Sequence, residues 1–184
     1  MILEIVKYPD PILRQKGKTT GAITDDLRAL AESMIETMRE ANGVGLAAQQ
    51  VGAALQLTVV EVQESDDRPS TMSVNGRQVV LADYMPMVLL DPVLELGREK
   101  EEGTEGCLSF PDLTGEIERS SWVKAKGRLL DGREIEFEAT GLLARALQHE
   151  TDHLNGILFI DRMNSATKTA IKGKLKRMQR EARE

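Results

Sequence analysis

The chain has 184 residues, 41% of them hydrophobic, which is enough for one domain with its own apolar core. One cysteine excludes an intrachain disulfide, and the chain shows neither a leader pattern nor an apolar run near twenty residues, so we expect a cytoplasmic protein without a membrane partner. The net charge is −6, yet residues 162–184 carry eight Lys and Arg against two Glu, so the rest of the chain is more acidic than the whole. This acidic body argues against broad nucleic-acid binding and against specific DNA binding.

The N-terminal part of the sequence predicts a short strand, an irregular arm and a long helix. Met1–Val6 is apolar enough for a strand, and two prolines close behind it end regular pairing. From Asp25 apolar residues recur at helical spacing, and Thr24 precedes them as the expected N-cap. We expect this helix to stop at Asn42-Gly43, with the glycine in the left-handed conformation.

A run of small residues follows the first helix, at positions 43–52. It is too rich in glycine for a helix, and its backbone could approach a ligand closely. A plain surface turn explains the same composition, although the apolar members favour a packed segment. A phosphate-binding loop is excluded because no Lys-Ser or Lys-Thr pair follows.

The middle of the chain reads mainly as strands. The clearest strand is 55–62, and the polar excursion 64–85, with a turn at Asn75-Gly76, is expected to matter little to the core. Residues 79–96 are expected to be extended, and the acidic segment 99–105 is expected to be flexible. We expect the chain to turn at Phe110-Pro111, and we expect residues 122–127 to pair with 133–138 in a hairpin about Asp131-Gly132.

Both histidines of the chain lie in one predicted helix that begins after Thr140, its expected cap. His149 and His153 are four residues apart, so their imidazoles project from one helix face and can bind one metal ion. Glu150 lies one step off that face, where it can move a proton on a water bound to the ion without being a ligand. The pattern is His-Glu-x-x-His.

A third ligand could come from Cys107, in the segment Glu105-Gly106-Cys107-Leu108-Ser109. An unpaired thiol is more often an inert buried residue, because free cysteine packs as a small hydrophobe. The flanking glycine and polar residues weaken that interpretation. Two neutral imidazoles and one thiolate would leave a divalent ion with a position open to water.

The order strands, helix, strands, hairpin, helix predicts an α+β fold, with mostly antiparallel sheets packed around a central His-Glu-x-x-His helix, an N-terminal helix and a C-terminal helix. We expect a catalytic domain at 1–164 and a basic helix or tail at 165–184 that is not a separate domain. The tail can be a solvated helix packed lightly on the body, or a basic helix that docks on the ribosome.

Three motifs together resemble the peptide deformylase family. They are Gly43-Val44-Gly45-Leu46-Ala47-Ala48-Gln49-Gln50, Glu105-Gly106-Cys107-Leu108-Ser109 and Gln148 to Gly156, in the family's order. The resemblance implies the family's α+β fold and removal of the formyl group from the N-terminal formyl-methionine of new polypeptides. It also implies one divalent metal ion, ferrous iron first, with zinc, nickel or cobalt as substitutes.

The resemblance also implies a role for each matching residue. The metal ligands would be Cys107, His149 and His153, with Glu150 as general base and acid. Gln50 and the backbone N–H of Leu108 would bind the oxyanion, although glutamines are commonly just solvated. Main-chain groups of Val44, Gly45 and Gly106 would hold the peptide extended. Leu142 and Ala146 share the helix face of His149 and could line a methionine pocket, which core packing explains equally well. Arg145 reads as a rim or surface charge without a role.

Two other functions fit the same motif. A zinc endopeptidase shares His-Glu-x-x-His, but a thiolate ligand and a tight glycine-rich wall suit a small acyl group better. A non-catalytic, metal-stabilised module at the ribosome would bind metal and partner without turnover.

Overall fold

Three α-helices and nine β-strands make up the chain in the computed structural model, which describes residues 1–184. The helices are α1 (Asp25–Glu40), α2 (Gly141–Leu154) and α3 (Ser165–Glu181). The strands are β1 (Gly45–Ala47), β2 (Leu57–Val60), β3 (Met72–Val74), β4 (Arg77–Val79), β5 (Met87–Leu96), β6 (Lys100–Cys107), β7 (Phe110–Ser120), β8 (Trp122–Arg128) and β9 (Glu134–Thr140). Four single-turn 3-10 helices lie at Pro11–Arg14, Ala48–Val51, Leu81–Tyr84 and Phe159–Arg162.

The strands form two antiparallel sheets. Seven strands pair in the order β1-β2-β5-β8-β9-β3-β4, and β6 pairs with β7 as a separate long ribbon. Because β1 is an edge strand, only one of its sides is paired, and the other is open to a ligand. The predicted α+β fold with mostly antiparallel sheets around the motif helix is confirmed.

Helix α2 is central because apolar side chains bury it against the large sheet. Leu143 and Leu147 on α2 pack with Phe137 of β9 and Val60 of β2 in the largest apolar cluster. A second cluster joins α1 to β2, and a third joins the N-terminal arm, β7 and α3. Ten of the fourteen α2 residues are buried, including both histidines and Glu150, so the motif is held rigidly.

The first helix and both predicted hairpin turns are confirmed. The Thr24 side chain accepts a hydrogen bond from the Leu27 N–H and so caps α1. Asn75-Gly76 joins β3 to β4, and Asp131-Gly132 lies between β8 and β9. At the end of α1, however, Asn42 adopts the left-handed conformation (φ 57°), and Gly43 does not. A Cβ on Gly43 would lie 2.8 Å from Leu108 Cδ1, so a larger residue there would displace the end of that side chain.

Several sequence expectations are wrong. Residues 1–6 are not a strand, because they meet other segments through single hydrogen bonds such as Val6 N–H to Gln50 O (2.7 Å). The acidic segment 99–105 is not a flexible loop, because residues 100–105 belong to β6, which β7 pairs along its whole length. The chain turns at 108–109, ahead of Phe110-Pro111, which begins β7.

The excursion 64–85 contributes to the core, contrary to expectation. Met72 and Leu81 are fully or almost fully buried in the cluster that also holds α2. The excursion also caps α2, because the Ser70 hydroxyl accepts a hydrogen bond from the Leu143 N–H (2.9 Å) and Pro69 O accepts one from the Leu142 N–H (3.2 Å). Thr140 was the expected cap, but its side chain makes no capping bond and instead contacts Thr71 (2.6 Å between hydroxyl oxygens).

Candidate active site

Helix α2 presents both histidines from one face, as its spacing predicted. Their ring centroids are 5.0 Å apart, and the side chains are 8% (His149) and 1% (His153) exposed. Cys107, the last residue of β6, meets them from the opposite side, with its Sγ 3.3 Å from His153 Nε2. One ligand atom from each of the three residues lies within 4.8 Å of the other two. The structure therefore brings together the three residues predicted as ligands.

The chemistry of these three groups fits a divalent transition metal. A thiol and two imidazoles are nitrogen and sulfur donors of the kind that bind iron, cobalt, nickel or zinc. Two buried polar atoms beside them, His153 Nδ1 and Glu150 Oε2, have no hydrogen-bond partner on the chain. Buried polar atoms usually have a partner, and Glu150 Oε2 is the one of these two that a water or substrate held at the ion would satisfy, because His153 faces Cys107 through Nε2 and not through Nδ1.

A carboxylate behind His149 fixes the orientation of its ring. Glu105 Oε1 lies 2.8 Å from His149 Nδ1, so the other ring nitrogen, Nε2, is left for the metal position. Burial lowers the pKa of His149, but hydrogen bonds with Cys107 and Glu105 outweigh it and raise the pKa to about 10 in the metal-free chain. Burial, together with the charge of His149, lowers the pKa of His153 well below its ordinary value.

Glu105 is the centre of a buried ion network that the sequence interpretation missed. Arg119 donates to both of its carboxylate oxygens (2.8 and 2.9 Å), and Arg145 donates to Oε2 (2.7 Å). Burial alone would raise the pKa of Glu105, but Arg119 and His149 hold it well below its usual range. Arg145 is thus a buried structural cation and not a surface charge, and Gly103 leaves it room, since a Cβ there would lie 2.9 Å from its guanidinium carbon. Only the place of Glu105 inside the cysteine motif could have pointed to the network.

Glu150 lies beside the three ligands, in contact with the glycine-rich segment. Its side chain is buried, and its Oε1 is 4.0 Å from His149 Nε2. Burial raises the pKa of Glu150 to about 7, against the opposing effect of His149. A Cβ on Gly45 would lie 2.8 Å from Glu150 Cγ and 2.9 Å from Oε1. Glycine at position 45 therefore lets β1 approach the carboxylate closely.

Gln50 is a buried residue with a fixed amide, not a solvated one. It lies in the 3-10 helix Ala48–Val51 and is 1% exposed. Its Oε1 accepts a hydrogen bond from the Ala47 N–H (2.9 Å), which turns Nε2 toward Ser109 Oγ (3.2 Å) and Cys107 Sγ (3.6 Å). The amide donor consequently points into the site. Leu108 follows Cys107 directly in the turn between β6 and β7.

A cleft of about 540 Å³ opens onto these groups. Val44, Gly45 and Gly106 line it, together with Leu142 and Ala146 of α2. The structure thus brings all the predicted substrate-binding residues to one cavity. The largest cavity of the chain, about 1630 Å³, lies on another part of the large sheet and contains none of the predicted site residues.

Comparison with known proteins gives one consistent result. The family model described as polypeptide deformylase matches residues 2–169. The chain is 46% identical to a peptide deformylase of Methylacidiphilum infernorum, over 98% of this chain and 94% of the relative, and 43% identical to one of Thermodesulfovibrio yellowstonii, over 95% and 97%. Crystal structures of Arabidopsis thaliana peptide deformylase 1B (34% identity, 98% of this chain and 92% of that one, TM-score 0.82) and of the Thermotoga maritima enzyme (37%, 89% and 99%, TM-score 0.74) are also similar.

Proposed function

The chain belongs to the polypeptide deformylase family, and from this premise we propose how its residues carry out the family's reaction. It is an enzyme, a peptide deformylase, that removes the N-terminal formyl group from nascent peptides. The residue roles and the mechanism that follow are our proposal. The observation that carries it is the convergence of Cys107, His149 and His153 from two distant segments, with Glu150 beside them.

Cys107, His149 and His153 would hold one divalent ion, for which we propose ferrous iron, with zinc, nickel or cobalt as substitutes. When bound, the ion supplies Lewis acidity, which polarises the formyl carbonyl and makes a water in the cleft easier to deprotonate. Glu105 holds His149 in place for this task, because its carboxylate fixes the ring through Nδ1. Zinc binds nitrogen and sulfur donors more tightly than iron does, so metal supply decides which ion a preparation contains.

Glu150 is the proton carrier of the proposed mechanism. Its carboxylate accepts a proton from the water that adds to the formyl carbon, and then gives it to the methionine nitrogen as the C–N bond breaks. Formate and a free amino terminus are the products. Burial raises the pKa of Glu150 in the metal-free chain, and a carboxyl group whose pKa is shifted toward neutrality suits this double role.

Gln50 and the Leu108 N–H stabilise the oxygen that gains charge when the formyl carbon becomes tetrahedral. The Ala47 N–H holds the Gln50 amide through Oε1, so Nε2 is kept at the site, where the oxyanion takes the place of Cys107 Sγ as acceptor of one of its two hydrogens. The peptide itself is held as an extended chain by main-chain groups of Gly45, on the unpaired edge of β1, of Val44 directly before it, and of Gly106, which lines the same cleft.

The methionine side chain enters the part of the cleft that Leu142 and Ala146 line. These two residues also belong to, or pack against, the apolar cluster around α2, so the proposed pocket is a continuation of the core surface. An apolar pocket of this kind selects for an apolar side chain after the formyl group.

The test is an anaerobic assay of formate release from a formyl-Met peptide with the iron-loaded chain. An internally cleavable peptide blocked at both ends serves as the comparison substrate. We expect formate only from the first peptide, and no turnover by Glu150→Ala with its metal retained. Cleavage of the blocked peptide would favour an endopeptidase, and absence of all turnover with metal still bound would favour a binding module.

We also propose that α3 docks on the ribosome, so that the enzyme works in the cytoplasm where nascent chains emerge. Ile171 is buried against the body, and Lys172, Lys176 and Arg180 are exposed along one side of the helix. Phosphate contacts by such a stripe weaken with salt. Replacing the three cations by glutamine should reduce co-sedimentation with ribosomes and remove its salt dependence, and unchanged binding would overturn this proposal.

No helix of the chain has the length and apolar character needed to cross a membrane.

A further inference from the structure

The excursion 64–85 places one cation, Arg68, on the rim of the cleft. Arg68 is exposed and lines the same cavity as Gly106, Leu142 and Glu150. Its only side-chain hydrogen bond goes from an Nη2 donor to the carbonyl oxygen of Thr104 in β6 (3.4 Å). No carboxylate of the chain lies within ion-pair distance of it. Four of its five N–H donors therefore remain available to a ligand.

Arg68 is held in a defined position relative to the catalytic helix. The two residues that follow it, Pro69 and Ser70, accept the hydrogen bonds that cap α2 at Leu142 and Leu143. Gly141 fits tightly under this loop, since a Cβ there would lie 1.9 Å from Pro69 O. The backbone beside Arg68 is thus tied to the helix that carries the catalytic groups. Arg68 therefore has a fixed backbone position on the rim of the cleft.

Three other charged side chains that line the cleft are relevant to a bound peptide. Arg145 is paired with Glu105 behind the site, and Lys7 donates from Nζ to Leu108 O (3.0 Å). Asp112 is an acidic group of the cleft lining, on β7. Arg68 and Lys7 are thus the two cations of the lining that donate only to a carbonyl oxygen, and the Arg68 guanidinium has the larger number of N–H donors left for a substrate.

An extended peptide places its side chains alternately on two sides. If the first side chain, methionine, enters the cleft at Leu142, the second points away and the third returns to the same side, about 6.7 Å further along the chain. Arg68 and Leu142 line one cavity, so the third side chain is the one that a guanidinium on that rim can meet.

We propose that Arg68 is a specificity-determining residue that selects nascent peptides with Asp or Glu at their third position. This inference rests on the proposed function, because it concerns the same cleft. An ion pair at an exposed rim contributes modestly, so the preference in kcat/KM for Asp over Ala at position three is about 2- to 5-fold. It falls with rising salt, because exposed charges are screened.

The test compares four tripeptides as substrates of the metal-loaded enzyme: formyl-Met-Ala-Asp, formyl-Met-Ala-Ala, formyl-Met-Ala-Lys and formyl-Met-Asp-Ala, each amidated at its C-terminus. We expect the first to have the highest kcat/KM through a lower KM, with kcat unchanged. The fourth, with Asp at position two, should behave like formyl-Met-Ala-Ala. Raising the salt from low to high concentration should reduce the advantage of the first peptide.

Four variants decide which cation is responsible. Arg68→Gln should remove the Asp preference, and Arg68→Glu should reverse it in favour of Lys. Arg77→Gln is the matched control, because Arg77 is an exposed arginine of the same excursion that does not line the cleft. Lys7→Gln tests the other rim cation.

The outcomes separate this inference from the function on which it rests. Equal turnover of all four peptides by the parent enzyme would overturn the role of Arg68 and leave the deformylase assignment intact. So would a preference that Lys7→Gln removes and Arg68→Gln does not. Absence of formate release from every peptide would instead contradict the proposed function.

Discussion

Replacing Gly45 by alanine should damage catalysis through Glu150. An added Cβ would lie 2.8, 3.0 and 2.9 Å from Glu150 Cγ, Cδ and Oε1, whereas ordinary contacts begin near 3.4 Å. The atoms involved include the stem of a buried side chain on a packed helix, so Glu150 must move by roughly 0.5–1 Å or β1 must shift. Misplacement by about 1 Å of a catalytic group costs on the order of 10²-fold in rate.

The assay is formate release with iron- or cobalt-loaded Gly45→Ala, compared with the parent chain at matched metal content. We expect kcat to fall about 10²-fold, with one metal ion still bound. Gly173→Ala is the matched control: it lies in α3, and nothing is within 4 Å of a Cβ there, so activity should not change. Activity of Gly45→Ala within twofold of the parent would refute the argument.

Three further changes probe the supporting groups. Glu105→Gln should lower cobalt affinity about 10- to 100-fold in a chelator competition, since it weakens the group that orients His149, and unchanged affinity would contradict that role. Gln50→Ala should lower kcat by roughly 10²-fold with little change in KM, and a loss confined to KM would refute its role at the oxyanion. Burial raises the pKa of Asp91, but hydrogen bonds from Thr20 and Arg128 outweigh burial and lower the pKa overall. The ionised carboxylate therefore stabilises the fold above pH ~4, and this stabilisation is lost as the pH falls further. After allowance for solvent screening, Asp91→Asn should lower the free energy of unfolding by about 1 kcal/mol at pH 7 and by less at pH 3. An equal loss at both pH values would contradict the prediction.

Elements with strong local signals could be predicted from the sequence. Thr24 ahead of a helical apolar stripe and Asp131-Gly132 between two alternating segments both dictate structure through neighbouring residues alone. The His-Glu-x-x-His spacing placed both imidazoles on one helix face for the same reason. The fold class followed from the order of such segments.

Features that depend on distant contacts could not be predicted. The acidic segment 99–105 reads as flexible, yet it pairs with β7, and Arg119 and Arg145 neutralise its one buried carboxylate. Thr140 looks like a helix cap, but Ser70, some seventy residues away, takes that place. When a residue from a distant segment makes the contact that a neighbouring residue was expected to make, the sequence carries no periodic pattern that would indicate it.

In the active site, too, features set by local spacing could be predicted and features set by distant contacts could not. The sequence indicated the identity of its ligands, but Gln50 could not be distinguished from a solvated amide, because its burial depends on Ala47, Cys107 and Ser109 together. The sequence predicts Arg145 as a rim or surface charge, since a lone arginine on a helix is usually exposed. Its partner Glu105 lies on another element and only the fold brings the two together.

The most direct measurement is an anaerobic titration of the metal-free chain with Co²⁺, followed by the near-ultraviolet absorption of a thiolate bound to cobalt. Convergence of Cys107, His149 and His153 on one ion predicts a band that saturates at one equivalent and is absent in Cys107→Ser. A chain that binds cobalt without this band, or a Cys107→Ser variant that keeps it, would contradict the proposed centre.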